Sequence, residues 1–394
     1  MNTIINQTKR SGVLDLPEAE AWSEAVDGSE LLDGLSGLLR RHVVLPLWVA
    51  ETLALWTLHT YAFQLRSVTT YVGVVSPEKR CGKTTLLTLM SRLTNRALVA
   101  ANISPPALFR VIEKVQPTLL IDEADTFLQG KEELRGILNA GYSQDSAYVV
   151  RIDPTAVSSQ EGGLTKFSCW CPKMIAAIGE LPETLMDRCI VVSMQRKRAG
   201  EVCERLRKLD GESWRGKCAR WVADNAEAIR AAEPSLPEGL NDRAADIWEP
   251  LLVLADLAGG VWPELAREAA TGLSARQEDM SRVGLLLRHI QLLFNLWGVD
   301  KVFSRRLVDG LKALKNPPWE ELLKGKPLTE VWLAQQLRGL GVMPRTTWVD
   351  GTTARGYHLS DFEDAFARYG AQEISKLQIP SSKEVPMASN PSDA

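Results

Sequence analysis

The sequence predicts an α/β fold in which a parallel sheet carries helices on both faces. Between Thr70 and Arg196, short β-branched runs alternate with amphipathic helical stretches, and this alternation is typical of parallel βαβ units. From Ala199 to about Leu273 the pattern is helical and is punctuated by prolines, so a helical segment follows the sheet. From Met280 onward the predicted order is helix, strand, helix, helix and a two-stranded hairpin, which is the order of a winged helix.

The composition is that of an ordinary globular protein. The 394 residues are 45% hydrophobic and 24% charged, which predicts two or three domains and excludes a fibrous or disulfide-rich chain. The 46 basic and 49 acidic residues give a net charge of -3, so a nucleic-acid site would have to be a local patch. The six cysteines lack a secreted-domain spacing, and the most apolar early run, Val43 to Phe63, is broken by Pro46, Glu51 and His59. We therefore expect a cytoplasmic protein without a membrane-spanning segment.

One insertion interrupts the α/β alternation. Two strand-like runs, AYVVRID and LTKFSCW, flank the polar stretch PTAVSSQEGG. Two such runs around a polar turn predict an inserted β-hairpin.

The strongest motif lies where the first predicted strand meets a helix. The run YVGVVSPEKRCGKTTLL passes from a β-run into a loop that ends Gly82-Lys83-Thr84-Thr85, which is the context of a phosphate-binding P-loop. Backbone N–H groups at the helix start and the Lys83 ammonium would face a polyphosphate, and the Thr84 hydroxyl would ligate Mg²⁺. The predicted nucleotide-binding residues of this loop are Ser76, Pro77, Glu78, Lys79, Arg80, Cys81, Gly82, Lys83, Thr84 and Thr85.

Pro77 stands where the standard P-loop pattern has its first glycine. Because proline has no N–H donor and a restricted φ, the start of this loop must differ from the usual glycine turn. The alternative interpretation is a GKTT run that begins a helix by chance.

A second motif, TLLIDEAD, ends a buried-looking strand with Asp122 and Glu123. An aspartate at a strand end suits Mg²⁺ ligation, and the adjacent glutamate can orient and deprotonate an attacking water. We therefore predict that Thr84 and Asp122 hold Mg²⁺ and that Glu123 and Lys83 are catalytic. The alternative is that the two carboxylates form only a solvated strand end.

An arginine follows the second half of the predicted sheet. In CPKMIAAIGELPETLMDRCIVVSM, Arg188 lies between a short helix and a strand, and here the sequence resembles the AAA+ ATPases. The resemblance implies that Arg188 reaches the γ-phosphate of the neighbouring subunit, where a cation stabilises charge on the transferred phosphoryl group. The alternative is a salt bridge to Asp187. The preceding strand ends Ile178-Gly179-Glu180, without the polar sensor residue usual in that class.

The helical segment after the sheet contains Arg243 near a helix start, with Asn241 as the candidate N-cap. Arg243 resembles the second sensor arginine of the AAA+ ATPases, which closes onto the nucleotide from a helical lid. The resemblance implies that Arg243 binds the nucleotide. A structural pairing with Asp242 or Asp246 is the alternative.

Six motifs together resemble one narrower group of proteins, and the resemblance extends from about Leu38 to Ala270. The motifs are SPEKRCGKTTLL, ANISPPALFR, PTLLIDEADTFL, ELRGILNAG, IGELPETLMDRCIVV and NDRAADIWEPLL. The group is a bacterial and phage P-loop family of unknown function that is often fused behind primase-type domains in replication proteins of mobile elements. The resemblance implies an AAA+-like, helicase-type motor that uses ATP and Mg²⁺ and assembles as a hexameric ring. It also implies DNA, and a primase or another replication protein, as partners.

The predicted domain boundaries follow from these motifs. They are an acidic, partly disordered lead-in (1–37), a helical linker plus P-loop ATPase core (38–198), a helical lid (199–279), a winged-helix-like domain (280–377) and a disordered tail (378–394). We expect the lead-in to be too short for a primase domain. His42 and His59 fall in the helical linker and are expected to serve packing.

Segment 301–359 is locally basic, with ten basic residues against five acidic ones. A winged helix with such an excess could contact the phosphates of a duplex. In hexameric AAA+ helicases a hairpin before the sensor strand projects into the pore, so the inserted hairpin is a second candidate. The predicted DNA contacts are Arg305, Arg306, Arg338, Arg345 and Arg355 in the basic segment and Arg151 and Lys166 in the hairpin. Winged helices also bind proteins, and surface charge is ordinarily solvation, so both alternatives stay open.

Two functions of different classes share every phosphate-site residue. The first is an ATP-driven, ring-forming DNA motor, a helicase-type replication protein of a phage or mobile element. The second is an ATP-gated switch, loader or phage-defence component that acts on a partner protein. A small-molecule kinase is a weaker third hypothesis because it leaves the lid and the winged helix unexplained.

Overall fold

The computed structural model describes residues 16, 18–100, 103–128, 130–152, 163–279, 282–314, 327–349 and 351–369. The tail predicted for 378–394, the hairpin loop and most of the predicted lead-in's first half lie outside this part. The chain divides into two compact units between Ser274 and Ala275.

Strands and helices alternate in the first unit, as the sequence predicts. Its strands, within the described residues, are β1 (Tyr71–Ser76), β2 (Ala97–Ala100), β3 (Thr118–Ile121), β4 (Tyr148–Ile152), β5 (Leu164–Ser168), β6 (Lys173–Ile178) and β7 (Cys189–Ser193). The helices that begin in it are α1 (Gly28–His42), α2 (Val49–Ala62), α3 (Lys83–Leu93), α4 (Pro105–Val115), α5 (Ala124–Phe127), α6 (Glu132–Ala140), α7 (Glu183–Met186), α8 (Glu212–Asp224), α9 (Ala226–Ala231), α10 (Asp242–Ala258) and α11 (Trp262–Asp279).

A five-stranded sheet organises this unit, with the strand order β2-β3-β6-β1-β7. Every neighbouring pair is parallel, so the predicted parallel α/β fold is confirmed. Parallel strands bring all their carboxyl ends to one edge of the sheet. We call this the carboxyl edge (the side where β1, β3, β6 and β7 end) and the opposite side the amino edge (the side where they begin).

Helices before the sheet form much of the core. Nearly every residue of α2 is buried. A helix that is buried on all sides has no need of a polar face, and the sequence of α2 is accordingly not amphipathic. Trp56 is fully buried and donates from Nε1 to the carbonyl of Thr70 at 2.8 Å, just before β1. Full burial of a large apolar side chain contributes roughly 1.5–3 kcal/mol, so α2 holds the start of β1 in place.

His59 of α2 is buried against the same point. Its Nε2 accepts a hydrogen bond from the Thr70 backbone N–H at 3.2 Å and lies 3.1 Å from Thr69 Oγ1. Burial lowers the pKa of His59 to about 3, so the imidazole is neutral at physiological pH. His42 is also buried and contacts the Glu204 carbonyl at 3.1 Å. The prediction that both histidines serve packing is confirmed.

The predicted inserted hairpin is present. Strands β4 and β5 pair antiparallel, with Tyr148 opposite Ser168 and Ile152 opposite Leu164. The inner face of the hairpin packs on α4, where the rings of Phe109 and Phe167 lie 4.8 Å apart. The stretch that joins the two strands, 153–162, lies outside the described residues.

The second unit has a small antiparallel sheet and its own core. Its described elements are α12 (Arg282–Trp297), β8 (Lys301–Phe303), α13 (Ser304–Ala313), α14 (Glu330–Arg338), β9 (Arg345–Val349), β10 (Thr352–His358) and α15 (Glu363–Tyr369). The strand order is β8-β10-β9. Residues Leu293, Phe294, Leu307, Tyr357 and Phe362 are buried in a cluster separate from the first unit's core.

Among the described residues of the second unit, the order of elements agrees with the order that the sequence predicts: helix, strand, helix, helix and two antiparallel strands. Across the described parts of both units, no helix has the length and apolar character needed to span a bilayer.

Candidate nucleotide site

The start of the 76–85 loop is held by side chains. Ser76, the last residue of β1, donates from Oγ to the Glu78 carbonyl at 2.7 Å. The Glu78 carboxylate pairs with Arg196, whose Nε lies 2.7 Å from Oε1. Arg196 also donates to the Lys79 carbonyl at 3.4 Å. These contacts shape the turn where Pro77 excludes the usual glycine conformation. Arg196 follows β7, and nothing local in the sequence indicates its role.

The loop turns into α3 at Gly82. Gly82 is the N-cap of α3 with a φ of 87°, and no side chain caps the helix. Arg80 has a positive φ of 68°, which is costly for a residue other than glycine. The first N–H groups of α3 have no acceptor within the helix, and the positive end of the helix dipole adds to them. The loop end is therefore a favourable place for a phosphate.

Lys83 is the first residue of α3 and is buried, and its Nζ donates to the hydroxyl of Ser76. A hydroxyl solvates an ammonium group without neutralising it. An anion in the loop would therefore gain a charge-assisted hydrogen bond from Lys83.

Thr84 and Asp122 are in contact although β1 and β3, the strands that precede them in the chain, are not neighbours in the sheet. Thr84 Oγ1 donates to Asp122 Oδ2 at 2.9 Å, and the Glu123 N–H donates to Asp122 Oδ1 at 2.9 Å. Strand β6 lies between β1 and β3, so the shared carboxyl edge creates this contact. A hydroxyl and a carboxylate are hard oxygen ligands of the type that Mg²⁺ takes. The pair could hold Mg²⁺ beside a phosphate bound by the loop.

Glu123 is the N-cap of α5 with a φ of 53°, and its side chain makes no capping hydrogen bond. A positive φ in a glutamate is uncommon and costs about 1–3 kcal/mol. This conformation leaves the Glu123 carboxylate exposed at the carboxyl edge, next to the fixed carboxylate of Asp122.

Asp125 is a residue that the sequence reasoning missed. Its Oδ1 accepts a hydrogen bond from the Ile178 N–H at 3.0 Å. The adjacent Gly179 has a φ of 76° and donates to the Ser76 carbonyl at 2.9 Å. A polar side chain therefore stands at the end of β6, but it comes from the IDEAD run of β3 and α5. Only the sheet order could reveal it, because 53 positions separate Asp125 from Ile178.

Arg188 lies at the opposite edge of the sheet from the loop. It immediately precedes Cys189, the first residue of β7, which is in register with Tyr71 at the start of β1. The length of β1, six residues, separates this position from the loop by about 17 Å. Arg188 therefore cannot reach the loop of its own chain. The alternative pairing of Arg188 with Asp187 is not found; Arg188 donates to the Thr184 carbonyl.

Arg243 also lies at the amino edge. Its Nε is 3.8 Å from Asp187 Oδ2, and its guanidinium lies 5.2 Å from the centre of the Tyr142 ring. The prediction that Asn241 caps the helix is confirmed, because its Oδ1 accepts from the Ala244 N–H at 2.9 Å. The structure does not bring Arg243 to the loop of its own chain, and its acidic neighbour is Asp187 rather than Asp242 or Asp246.

The two hairpin candidates lie on opposite faces. Arg151 donates to Glu133 Oε1 at 2.9 Å and lies 5.5 Å from the Phe109 ring centre, so it faces the protein. Lys166 lies on the outer face with its Nζ 3.6 Å from the Tyr148 ring centre. Arg151 is therefore partly covered by the protein, whereas Lys166 is exposed, and DNA contact by either residue stays a prediction.

The outer face of the hairpin, in its described part, is apolar apart from Lys166 and the half-buried Ser168. Tyr148, Val150, Ile152 and Leu164 alternate along the two strands and are all exposed.

The arginines of the second unit differ in their partners. Arg345 donates to Asp361 Oδ1 at 2.8 Å. Arg355 donates to the Pro344 carbonyl at 3.0 Å. The guanidinium of Arg306 lies 4.8 Å from the Trp297 ring centre.

The remaining two predicted contacts, Arg305 and Arg338, are exposed. The described part of segment 301–359 contains seven basic and two acidic residues. Asp300, Asp361, Glu363 and Asp364 adjoin this segment, so residues 300–364 contain seven basic and six acidic residues within the described part. The excess of basic over acidic residues is therefore confined to segment 301–359 and nearly disappears when the adjoining residues are included.

Trp348 is a further residue that the sequence reasoning missed. It is 66% exposed on β9, opposite Thr353 of β10. Arg355 lies on the same face of the hairpin, two positions along β10 from Thr353. The alternation in TTWV could have indicated this, since the buried Thr347 places its neighbours on the outer face.

A family model described as "Protein of unknown function (DUF3631)" matches residues 193–369. The match begins at the last residue of β7, so it includes neither the 76–85 loop nor Asp122. An uncharacterized 28.9 kDa protein in the xis 5' region of Saccharopolyspora erythraea is 34% identical over 158 residues. That alignment covers 39% of this chain, and the chain spans 58% of the length of this relative.

Two solved structures of the NrS-1 C-terminal region, both A-form apo structures, each align with 86% of this chain. The alignments cover 77% and 76% of those chains, at 13% and 10% identity and TM-scores of 0.39 and 0.35. Because the identities and TM-scores are this low, the two structures carry no argument about the function of this chain.

Proposed function

We propose that this protein is an ATP-hydrolysing AAA+-like motor that acts on DNA as a ring. The contact between Thr84 Oγ1 and Asp122 Oδ2 at 2.9 Å carries the proposal, because it joins the end of a phosphate loop to a strand-end carboxylate. Mg²⁺ bound there would neutralise charge on the β- and γ-phosphates of ATP.

Each residue of the carboxyl edge has a role in this proposal. The N–H groups at the start of α3 bind the phosphates, and Lys83 leaves Ser76 to donate to them. Thr84 and Asp122 hold Mg²⁺. Glu123 orients and deprotonates the attacking water, for which its exposed carboxylate is suited.

The ring follows from the position of Arg188. At the carboxyl edge, Arg80 lies exposed within the loop itself, and Arg196 is paired with Glu78. Arg188 is about 17 Å away at the amino edge. It can serve an active site only across an interface with another copy. We propose that this head-to-tail interface closes into a ring, as such interfaces do when the rotation between copies closes.

DNA contact is proposed for the second unit and for Lys166. The helices and three-stranded sheet of the second unit form the winged-helix-like domain, and α8 to α11 form the lid of residues 199–279. Trp348 offers a stacking surface beside Arg355, which suits unpaired bases.

The first experiment measures mass, ATP turnover and strand displacement with the purified full chain. We expect an oligomer in the presence of a slowly hydrolysed ATP analogue, hydrolysis stimulated by DNA, and ATP-dependent unwinding. Trp348→Ala should weaken single-stranded DNA binding by about 1–3 kcal/mol and leave basal hydrolysis unchanged, with Val331→Ala as an exposed control in the same unit. If the protein is a monomer both with and without the analogue, Arg188 cannot act on the nucleotide of a neighbouring copy.

A second candidate is an ATP-gated switch that acts on a protein partner. The near balance of charge over residues 300–364, in the described part, favours it, because phosphate contacts need a sustained positive excess. DNA-independent hydrolysis without unwinding would select the switch.

A further inference from the structure

Two arginines that are distant in the chain converge at the amino edge of the sheet. Arg188 precedes β7, and Arg243 lies in the first turn of α10. Asp187 connects them, since it adjoins Arg188 in the chain and its Oδ2 lies 3.8 Å from Arg243 Nε. Tyr142 lies in the same cluster, with its ring 5.2 Å from the Arg243 guanidinium.

Several contacts hold α10 at this edge. Thr70 Oγ1, next to the start of β1, donates to the Ile247 carbonyl at 2.7 Å. The Tyr142 hydroxyl donates to Asp246 Oδ2 at 3.2 Å. Burial and then Asp246 raise the pKa of Tyr142, whereas Arg243 and Arg188 lower it. The Tyr142 side chain therefore connects Arg243 and Asp246 of α10 to this edge.

Both guanidinium groups retain unused hydrogen-bond donors. Arg188 is half-buried, and among the described residues it donates only from Nη1, to the Thr184 carbonyl, which leaves its Nη2 without an acceptor. Arg243 is 38% exposed, and its separation from Asp187 is too long for a hydrogen bond.

A structural arginine in the same unit has a different environment. Arg267 donates to both carboxylate oxygens of Asp256, at 2.6 and 2.9 Å, and to the Pro263 carbonyl. A guanidinium has five N–H donors, so Arg188 and Arg243 can still bind an external anion, whereas Arg267 is satisfied within the fold.

We propose that Arg188 and Arg243 together form a cationic half-site for the terminal phosphate of a nucleotide bound by a second copy of this chain. Arg243 thus acts across the interface and not on the nucleotide of its own subunit. Asp187 and the Tyr142–Asp246 pair position the two arginines. This inference rests on the proposed ATPase function and assigns Arg243 to the opposite edge from the one that the sequence resemblance implies.

The test is complementation between two inactive variants, each carrying a different affinity tag. Lys83→Ala keeps the half-site at the amino edge and loses the loop; Arg243→Ala keeps the loop and loses part of the half-site. The two full chains are coexpressed and purified through both tags, so that only mixed assemblies are assayed. In parallel, Arg188→Ala is mixed with Lys83→Ala, and Arg230→Ala, a helix-surface arginine paired with Glu227, serves as the control.

We expect Arg243→Ala alone to lower the turnover number about 100-fold. The mixture with Lys83→Ala should recover about a quarter of wild-type turnover, since random mixing completes about one interface in four. The Arg188→Ala mixture should recover equally. Arg243→Gln, which keeps a polar side chain of similar length, provides a second variant if Arg243→Ala lowers the melting temperature.

The outcomes separate this inference from the proposed function. Recovery with Arg188→Ala but not with Arg243→Ala would show that Arg243 acts within its own subunit and would overturn the inference alone. Wild-type turnover by Arg243→Ala would overturn it as well. Failure of both mixtures to recover, or failure to isolate any mixed assembly, would overturn the interfacial site itself.

Discussion

The two edges of the central sheet differ in how completely one chain can assemble a site. At the carboxyl edge, Lys83 and Thr84 at the start of α3 and Asp122 just after β3 already contact one another or their supports. At the amino edge, Arg188 and Arg243 lie close together with unused donors and no phosphate-binding loop. This difference underlies our proposal that one edge binds a nucleotide and the other completes the site of another copy.

The largest expected effect is at the amino edge. Arg188→Ala should lower ATP turnover by about 10³- to 10⁵-fold, because an arginine supplied across an interface stabilises the charge that develops in phosphoryl transfer. ATP affinity at the carboxyl edge should be unchanged, as measured by fluorescent nucleotide binding. A matching loss of affinity would place Arg188 at its own nucleotide and erase the contrast between the edges.

The next effect is at the carboxyl edge. Glu123→Gln should bind ATP and lose turnover by about 10²- to 10⁴-fold, since the amide cannot accept the proton of water. Glu132→Gln, an exposed residue of α6 paired with Arg135, is the matched control. Single-turnover hydrolysis measures the step directly, and an unchanged rate in Glu123→Gln would exclude it as the base.

The third prediction tests the packing of the turn at Gly141, which precedes Tyr142 at the amino edge. A methyl group on Gly141 would lie 2.6 Å from Lys173 Nζ and closer still to the Cys169 carbonyl. Gly141→Ala should therefore lower the free energy of unfolding by about 3 kcal/mol.

Gly136, in α6, meets nothing within 4 Å, so Gly136→Ala should be neutral or stabilising by up to about 1 kcal/mol. Urea unfolding of the two variants checks both values. Equal stabilities would mean that the turn before Tyr142 is not packed as tightly as the structure shows.

The smallest effect concerns pH and the amino edge. Burial lowers the pKa of His59 to about 3 from its ordinary value of 6.5. The unfolded state therefore binds the proton first as the pH falls below 6.5, and the folded state loses stability. The loss should be about 2 kcal/mol at pH 5 and continue toward pH 3. His59→Gln should flatten this part of the stability curve, and an identical slope in both proteins would contradict the buried neutral imidazole.

Local patterns were sufficient for the carboxyl edge. Gly82-Lys83-Thr84 between a strand and a helix, and Asp122 at the end of the TLLI strand, are short-range features whose chemistry depends on adjacent residues. The structure then places Thr84 and Asp122 in contact, as parallel strands require. The inserted hairpin also followed from its alternation, since β4 and β5 pair as predicted.

Long-range contacts were beyond these patterns. Arg151 and Lys166 appear equivalent in the sequence, and only the strand register assigns them to opposite faces. Asp125 and Arg196 reach the ends of other strands, so no local pattern indicates their contacts.

The sequence by itself determined the parallel α/β class, the phosphate-loop candidate and the strand-end carboxylates, because periodicity and adjacent residues encode them. Only the tertiary structure decided on which edge Arg188 and Arg243 lie. That position depends on strand order, on strand direction and on the contact between α10 and the start of β1, and each of these joins residues far apart in the chain.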